Sequence, residues 1–201
     1  GINVYDGSFF GEIKYTGGAF NKNSGLIVQR NSYQISVHES DFDNNTRYGI
    51  LAYQSYGISL ASNYCTYNGK SGIAATDSCT NLKISNNHIS NSLEPGIMLS
   101  TLTNSQIREN RITQVSGHGI RLYRSSYNIL HDNRIINPSQ EQNNKRSGIQ
   151  IDDDLVTFSK FNVIWNNYIV SDNAKKMAYG IYEKPTGNDY NLVLYNDIKG
   201  A

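Results

Sequence analysis

The sequence is short of most features that would assign a protein by composition. Eighteen Lys and Arg against seventeen Asp and Glu leave a net charge of +1 over 201 residues. That is too little to mark a nucleic-acid or membrane-surface partner, both of which read as concentrated basic charge. No stretch approaches the roughly twenty apolar residues that span a bilayer. No signal peptide opens the chain, and Gly1 stands where an initiator Met would, which reads as a cut or processed N-terminus. No window sustains the apolar period of a helix. Only two cysteines are present, Cys65 and Cys79, too few to indicate a redox compartment.

What the sequence has is a repeat. Gly-Ile or Gly-Leu pairs stand at Gly1, Gly25, Gly49, Gly72, Gly96, Gly119, Gly148 and Gly180, at spacings of 24, 24, 23, 24, 23, 29 and 32 residues. Within each unit a short alternating run follows the glycine (Ile97 and Leu99, Ile120 and Leu122, Ile149 and Ile151). A second leads into an asparagine (Ile35 and Val37, Ile58 and Leu60, Leu82 and Ile84), and a third follows it (Ile89, Ile112, Ile135, Ile169, Ile198). Period-two alternation in runs this short predicts strands. A fixed period of two dozen residues predicts a solenoid whose units bury their apolar side chains by stacking. The fold expected is therefore all-β: a right-handed parallel β-helix of about eight coils, each with three short strands, in one domain spanning residues 1–201. A leucine-rich repeat would need leucine at several fixed slots, where this chain has isoleucine and asparagine. Cys65 and Cys79 fall at different corners of such a coil, so no disulfide is expected. Neither end carries the cap that solenoids need, so the expectation is a piece of a longer β-helix, or a homotrimer that covers the open ends.

Asn63, Asn87, Asn110, Asn133, Asn167 and Asn196 share one slot between the second and third strands, with Ser40 in the second unit. Asparagine tolerates left-handed turns, and stacked amides can bond from coil to coil. An asparagine ladder is expected.

The long insertions flank the first strand: Asn137–Ser147 before it, Asp152–Lys160 after it in the same unit, and Val170–Tyr179 before the next. Such loops on a rigid scaffold would wall a groove along the first sheet, about 34 Å long at ~4.8 Å per coil. The slot two after glycine holds Asn3, Ile27, Leu51, Ala74, Met98, Arg121, Gln150 and Tyr182. The slot four after holds Gln29, Tyr53, Tyr123, Asp152 and Lys184 among others, and the next adds Asp6, Arg30, Asp77, Arg124 and Asp153. Tyrosine faces beside forked cationic donors suit an acidic polysaccharide. Arg30, Gln29, Tyr53, Arg121, Tyr123, Gln150, Tyr182 and Lys184 are the expected substrate-binding residues.

Gly1 to Arg30, and Tyr179-Gly180-Ile181-Tyr182-Glu183-Lys184 through Gly187-Asn188-Asp189-Tyr190 to Ile198, resemble the C-terminal half of the catalytic β-helix module of secreted mannuronan (alginate) C5-epimerases. The resemblance implies a uronate substrate, an extracellular setting, and a groove role for Arg30. The family's Asp-Pro-His motif has no counterpart here, an Arg-His pair would precede Gly1, and a groove lysine falls on Tyr53. The resemblance thus implies substrate subsites in this chain, with the main catalytic coil upstream.

Epimerisation or elimination at a uronate needs a carboxylate neutraliser, a base and an acid. Arg30, Arg121, Arg124 or Lys184 could neutralise, and His118, Tyr53, Tyr123 or Tyr182 could move protons. His118, just before Gly119, is the best placed of the four histidines, each more readily read as a solvated surface residue. A competing enzyme reading uses Asp152, Asp153 and Asp154 as glycoside hydrolase carboxylates, which would stand about 5–9.5 Å apart. The same three could ligate Ca²⁺, although no cofactor is required by the main reading. Glu183 lies on an inward slot, where a carboxylate needs a partner. Arg108, Arg111, His131, Arg134, Trp165 and Tyr168 form a second, basic and aromatic face at the asparagine turn. A non-enzymatic alternative is a structural or receptor-binding β-helix of the phage tailspike type, at a virion surface.

Overall fold

The computed structural model describes every residue except Asp6, Gln142 and Asn143. Among the described residues there is no helix, and the strands form three parallel sheets of eight, eight and six strands. The chain is a parallel β-helix, and from Ile50 onward each coil passes once through each sheet in turn. The first-sheet strands are Ile2–Val4, Leu26–Gln29, Ile50–Tyr53, Ile73–Thr76, Ile97–Ser100, Ile120–Tyr123, Ser147–Asp152 and Tyr179–Glu183. They define coils 1 to 8. The third sheet starts only at Tyr64–Thr66 in coil 3; in coils 1 and 2 its place is taken by single bridges, Gly17 to Asp41 and Asp41 to Tyr64.

Stacking identical slots produces the core. Leu26, Ile50, Ile73, Ile97, Ile120 and Ile149 lie in register on the first sheet; Val37, Leu60, Ile84, Ile107, Leu130 and Ile164 on the second; Cys65, Ile89, Ile112, Ile135 and Ile169 on the third. All are fully buried. Each such side chain contributes about 1.5–3 kcal/mol when taken from water. β-Branched residues fit these pleated, wholly buried faces. Cys65 and Cys79 are free thiols in separate columns.

The glycine column has a packing cause. A Cβ on Gly72, Gly96, Gly119, Gly148 or Gly180 would lie 2.3–2.5 Å from Cγ2 of Ile89, Ile112, Ile135, Ile169 or Ile198 respectively. The isoleucine after the asparagine therefore sets the glycine that opens the same coil. The two repeat marks are one contact.

The asparagine ladder runs from Asn63 through Asn87, Asn110, Asn133 and Asn167 to Asn196, with amide-to-amide distances of 2.9–3.1 Å. Each amide nitrogen also donates to a second-strand carbonyl of the preceding coil, as Asn110 does to Ile84. In the interior of the ladder both amide protons are thereby used, and each Oδ1 accepts twice, as at Asn110. One expectation is corrected. These asparagines are not left-handed; the residue before each is, at Ser62, Asn86, Glu109, Asp132, Asn166 and Tyr195. The corner turns at that exposed residue, which frees the asparagine side chain to point inward. Two further ladders occupy other corners: Asn21–Asn45–Asn68 and Asn128–Asn162–Asn191.

Candidate functional site: a trough along the first sheet

Register places the outward first-sheet slots side by side: Ile27, Leu51, Ala74, Met98, Arg121, Gln150 and Tyr182 in one row, with Gln29, Tyr53 and Thr76, then Ser100, Tyr123 and Asp152, in the row beside it. Three depressions follow these rows. The first, about 490 Å³, includes Ile27, Gln29, Arg47, Tyr48, Tyr53 and Met98. The second, about 450 Å³, shares Glu94 and Met98 with it and adds His118, Arg121, Glu141 and Arg146. The third, about 350 Å³, shares His118, Arg121 and Arg146 and adds Gln150, Asp152, Tyr179 and Tyr182. Together they make one trough, about 29 Å from Ile27 to Tyr182 at ~4.8 Å per coil.

The wall on the entry side comes from the slot two before glycine, where Arg47, Glu94, Gly117 and Arg146 line the depressions. Charged residues in that slot (Arg47, Lys70, Glu94, Arg146) were the available sequence signal for residues that the outward-slot reading missed. Lys70 lies 3.7 Å from Glu94.

The centre of the cationic end is His118. It is 8% exposed, not a solvated surface histidine. Its Nδ1 accepts the backbone N–H of Ser147 at 2.9 Å, so the neutral ring carries its proton on Nε2. Burial, then the charges of Arg121 and Arg146, push its pKa down to about 4. His118 is therefore a neutral hydrogen-bond donor at ordinary pH, rather than a ready base. Beside it Arg121 pairs with Asp152 at 2.5 Å. The guanidinium of Arg146 makes no ion pair among the described residues, and its Nε is enclosed without a hydrogen-bond partner. Gln150 is 8% exposed, and Ser147 Oγ donates to its Oε1 at 3.3 Å. Tyr182 stacks on Tyr179 at 4.9 Å. A neutral imidazole donor, two guanidiniums and a pair of phenols converge on one side of the trough, which is a carboxylate-binding chemistry.

Other expected site residues are turned away from the trough or engaged by neighbours. Arg30, left-handed at φ 55°, turns its guanidinium over Tyr5 at 4.9 Å, and Arg47 rather than Arg30 lines the trough. Tyr123 is covered by Arg121 and Arg124, at 5.2 and 4.8 Å from its ring. Lys184 is drawn to Asp153 at 3.3 Å and Asp152 at 3.9 Å. The Asp6 position lies outside the described residues.

Each of the three aspartates is held by other side chains or by backbone N–H groups. Asp152 answers Arg121, while Asp154 accepts from the Thr157 and Val156 N–H groups and from Arg124 at 2.7, 3.1 and 3.1 Å. The Asp153 side chain has no exposed surface. It accepts from Leu155 N–H at 2.7 Å, Asn188 at 2.8 Å, Lys184 and the Thr186 hydroxyl. Burial pushes the Asp153 carboxyl up, but these donors outweigh it and hold it below the usual range. The bonds of Asp153 and Asp154 fasten the 153–162 loop. Among the described residues no three His, Cys, Asp or Glu side chains gather to hold a metal ion. Glu183, on its inward slot, accepts from Asn191 at 2.7 Å. On the second face, His131 stacks on Trp165 at 4.9 Å and Arg134 covers Tyr168 at 5.0 Å.

Stacked coils joined by a glycine–isoleucine seam, with a long trough beside the loops, define a parallel β-helix. Residues 24–201 match the family described as "Right handed beta helix region", and the chain belongs to it. Similar solved structures include the A-module of Azotobacter vinelandii mannuronan C-5 epimerase AlgE4, at 18% identity and TM-score 0.67, covering 96% of this chain and 60% of that one. The periplasmic alginate epimerase AlgG is similar at 19% identity and TM-score 0.69, covering 87% and 47%. Tailspike protein 2 of an Escherichia coli O157:H7 bacteriophage is similar at 14% identity and TM-score 0.65, covering 86% and 24%. At these identities the likeness shows the fold, and the chain spans about half of the epimerase structures it matches. No curated protein sequence matches the chain. No helix among the described residues is long and apolar enough to cross a membrane.

Proposed function

We propose that this chain is a polysaccharide-processing β-helix module, of the alginate-epimerase type, that holds a uronate-containing glycan along its first sheet outside the cell. The observation that carries the reading is the convergence of His118, Arg121 and Arg146 on one side of a continuous trough. A uronate carboxylate placed there would meet the His118 Nε2–H and two guanidiniums. Neutralising that carboxylate is what makes the adjacent C5 proton removable, and this chain's contribution is that neutralisation. Tyr179 and Tyr182 offer ring edges and hydroxyls to the neighbouring sugar.

The test is binding of hexamannuronate by the intact chain, read by calorimetry at low and at half-molar salt. Arg121→Ala with Arg146→Ala should weaken binding about tenfold if each exposed pair is worth up to roughly 1 kcal/mol. Arg111→Ala with Arg134→Ala, on the opposite corner, should leave it unchanged. Salt should weaken binding of the unaltered chain. Loss confined to the second pair, or binding indifferent to salt and to both pairs, rules the trough out.

A further inference from the structure

A second recess lies outside the trough, at the corner between the first and second sheets. Its cause is a difference in corner length. Coils 2 and 4 leave the first sheet through two left-handed residues, Arg30–Asn31 and Asp77–Ser78, before the buried Ser32 and Cys79. Coil 3, lying between them, has only one, Gln54, before the buried Ser55. One short coil between two long ones leaves a notch of about 350 Å³, lined by Asn31, Gln54, Ser55 and Ser78, with Tyr33, Tyr56 and Thr80 beyond the corner.

No residue lining the notch is charged. The nearest corner charges face elsewhere: Arg30 lies over Tyr5, and Asp77 lines the trough. The side chains of Asn31, Gln54 and Ser78 make no hydrogen bond among the described residues, although the backbone beneath them is paired, as in Asn31 N–H to Gln54 O at 2.8 Å. Tyr33 and Tyr56 are bridge partners in adjacent coils. Phe9 stacks on Tyr33 at 5.4 Å, yet no ring contact joins Tyr33 to Tyr56. The aromatic stack stops at the notch, where Tyr56 is 48% exposed.

We infer that this notch is a binding site for one neutral hexopyranose unit. Phenol rings suit the C–H face of a sugar, amides both donate and accept to vicinal hydroxyls, and the absence of charge disfavours a uronate. The volume lies at the low end of small-ligand sites, enough for one unit rather than a chain. The site does not depend on the trough.

Saturation-transfer NMR on the intact chain, with cellotriose, mannotriose and maltotriose as probes, tests the assignment. At least one trisaccharide should bind, and half-molar salt or Arg121→Ala with Arg146→Ala should not change its affinity. Tyr56→Ala with Asn31→Ala should weaken it about tenfold. Inserting one Asn after Gln54, which gives coil 3 the corner length of its neighbours, should abolish it with the thermal midpoint retained. Should either variant misfold, Gln54→Ala with Ser78→Ala, both exposed, takes its place with the same expectation. Absence of binding by all three probes overturns the site, as does binding that survives loss of Tyr56 or fails on loss of Arg146.

Discussion

His118 and Ser147 are joined across adjacent coils, the Ser147 N–H donating to Nδ1 of His118 at 2.9 Å. This bond places the imidazole proton on Nε2, toward the trough that Arg121 and Arg146 also line. It also ties the state of the site to the stability of the fold.

The first prediction follows from that tie. Burial and two guanidiniums push the His118 pKa down to about 4 from its ordinary 6.5. Between those values the unfolded chain binds a proton that the folded chain refuses. Stability therefore falls as pH drops from 6.5 toward 4 and is unaffected above 6.5, the loss reaching ~3 kcal/mol at the acid end. His118→Asn, whose Oδ1 can take the Ser147 N–H, should flatten this part of the thermal-midpoint profile. Equal acid slopes in the two proteins would show that His118 is not held neutral.

The second concerns Asn110, whose side chain has four ladder bonds: from the Asn87 side chain and N–H, and to Ile84 O and Asn133 Oδ1, at 2.9–3.1 Å. Asn110→Ala leaves buried partners unpaired and should cost about 1–3 kcal/mol, more if several groups stay dry. Asn128→Ala, in a different ladder, should cost a similar amount. A thermal midpoint unchanged by either substitution would contradict the ladders.

The third tests the glycine–isoleucine seam. A Cβ on Gly72 would stand 2.4 Å from Ile89 Cγ2, with its next contacts at 3.3 Å. Gly72→Ala should therefore cost about 1–3 kcal/mol through overpacking. Ile89→Ala leaves a cavity and should cost about 2–5 kcal/mol. Together they should cost less than the sum, because the second removes the atom that the first strikes. Strict additivity in denaturant unfolding would refute the contact.

The seam also explains what the sequence discloses. Glycine and isoleucine recur because they touch, so the coil number, strand places and ladder were legible at once. The left-handed residue was misplaced by one because Glu109 and Tyr195, poor formers of that geometry, hold it alongside Asn86 and Asn166. The ladders through Asn45 and Asn128 escaped notice because serine replaces asparagine along part of each column, as at Ser105. In the site, Arg121, Gln150 and Tyr182 were legible from their outward slot. Arg146 was not, because its slot alternates cation, anion and glycine from coil to coil. The pairing of Asp152 with Arg121, distant by thirty-one positions, depends on stacking that no local pattern reports.

The last prediction turns on that pairing. A uronate carboxylate at the cationic end must compete with Asp152, whose Oδ2 lies 2.5 Å from Arg121 and whose Oδ1 lies 3.9 Å from Lys184. Asp152→Asn removes the competing charge while keeping shape and an acceptor. Because the pair is partly exposed, its loss should be cheap in stability, within roughly 1 kcal/mol, and should free Arg121 for a ligand. Hexamannuronate affinity at low salt should then rise about two- to fivefold, the gain shrinking as salt screens it. Asp153→Asn should behave differently: that side chain is fully enclosed by Leu155, Thr186, Lys184 and Asn188, so its loss should loosen the 153–162 loop without improving binding. If Asp152→Asn instead weakens binding at every salt concentration, the aspartate itself contacts the glycan, and the carboxylate is not received at Arg121.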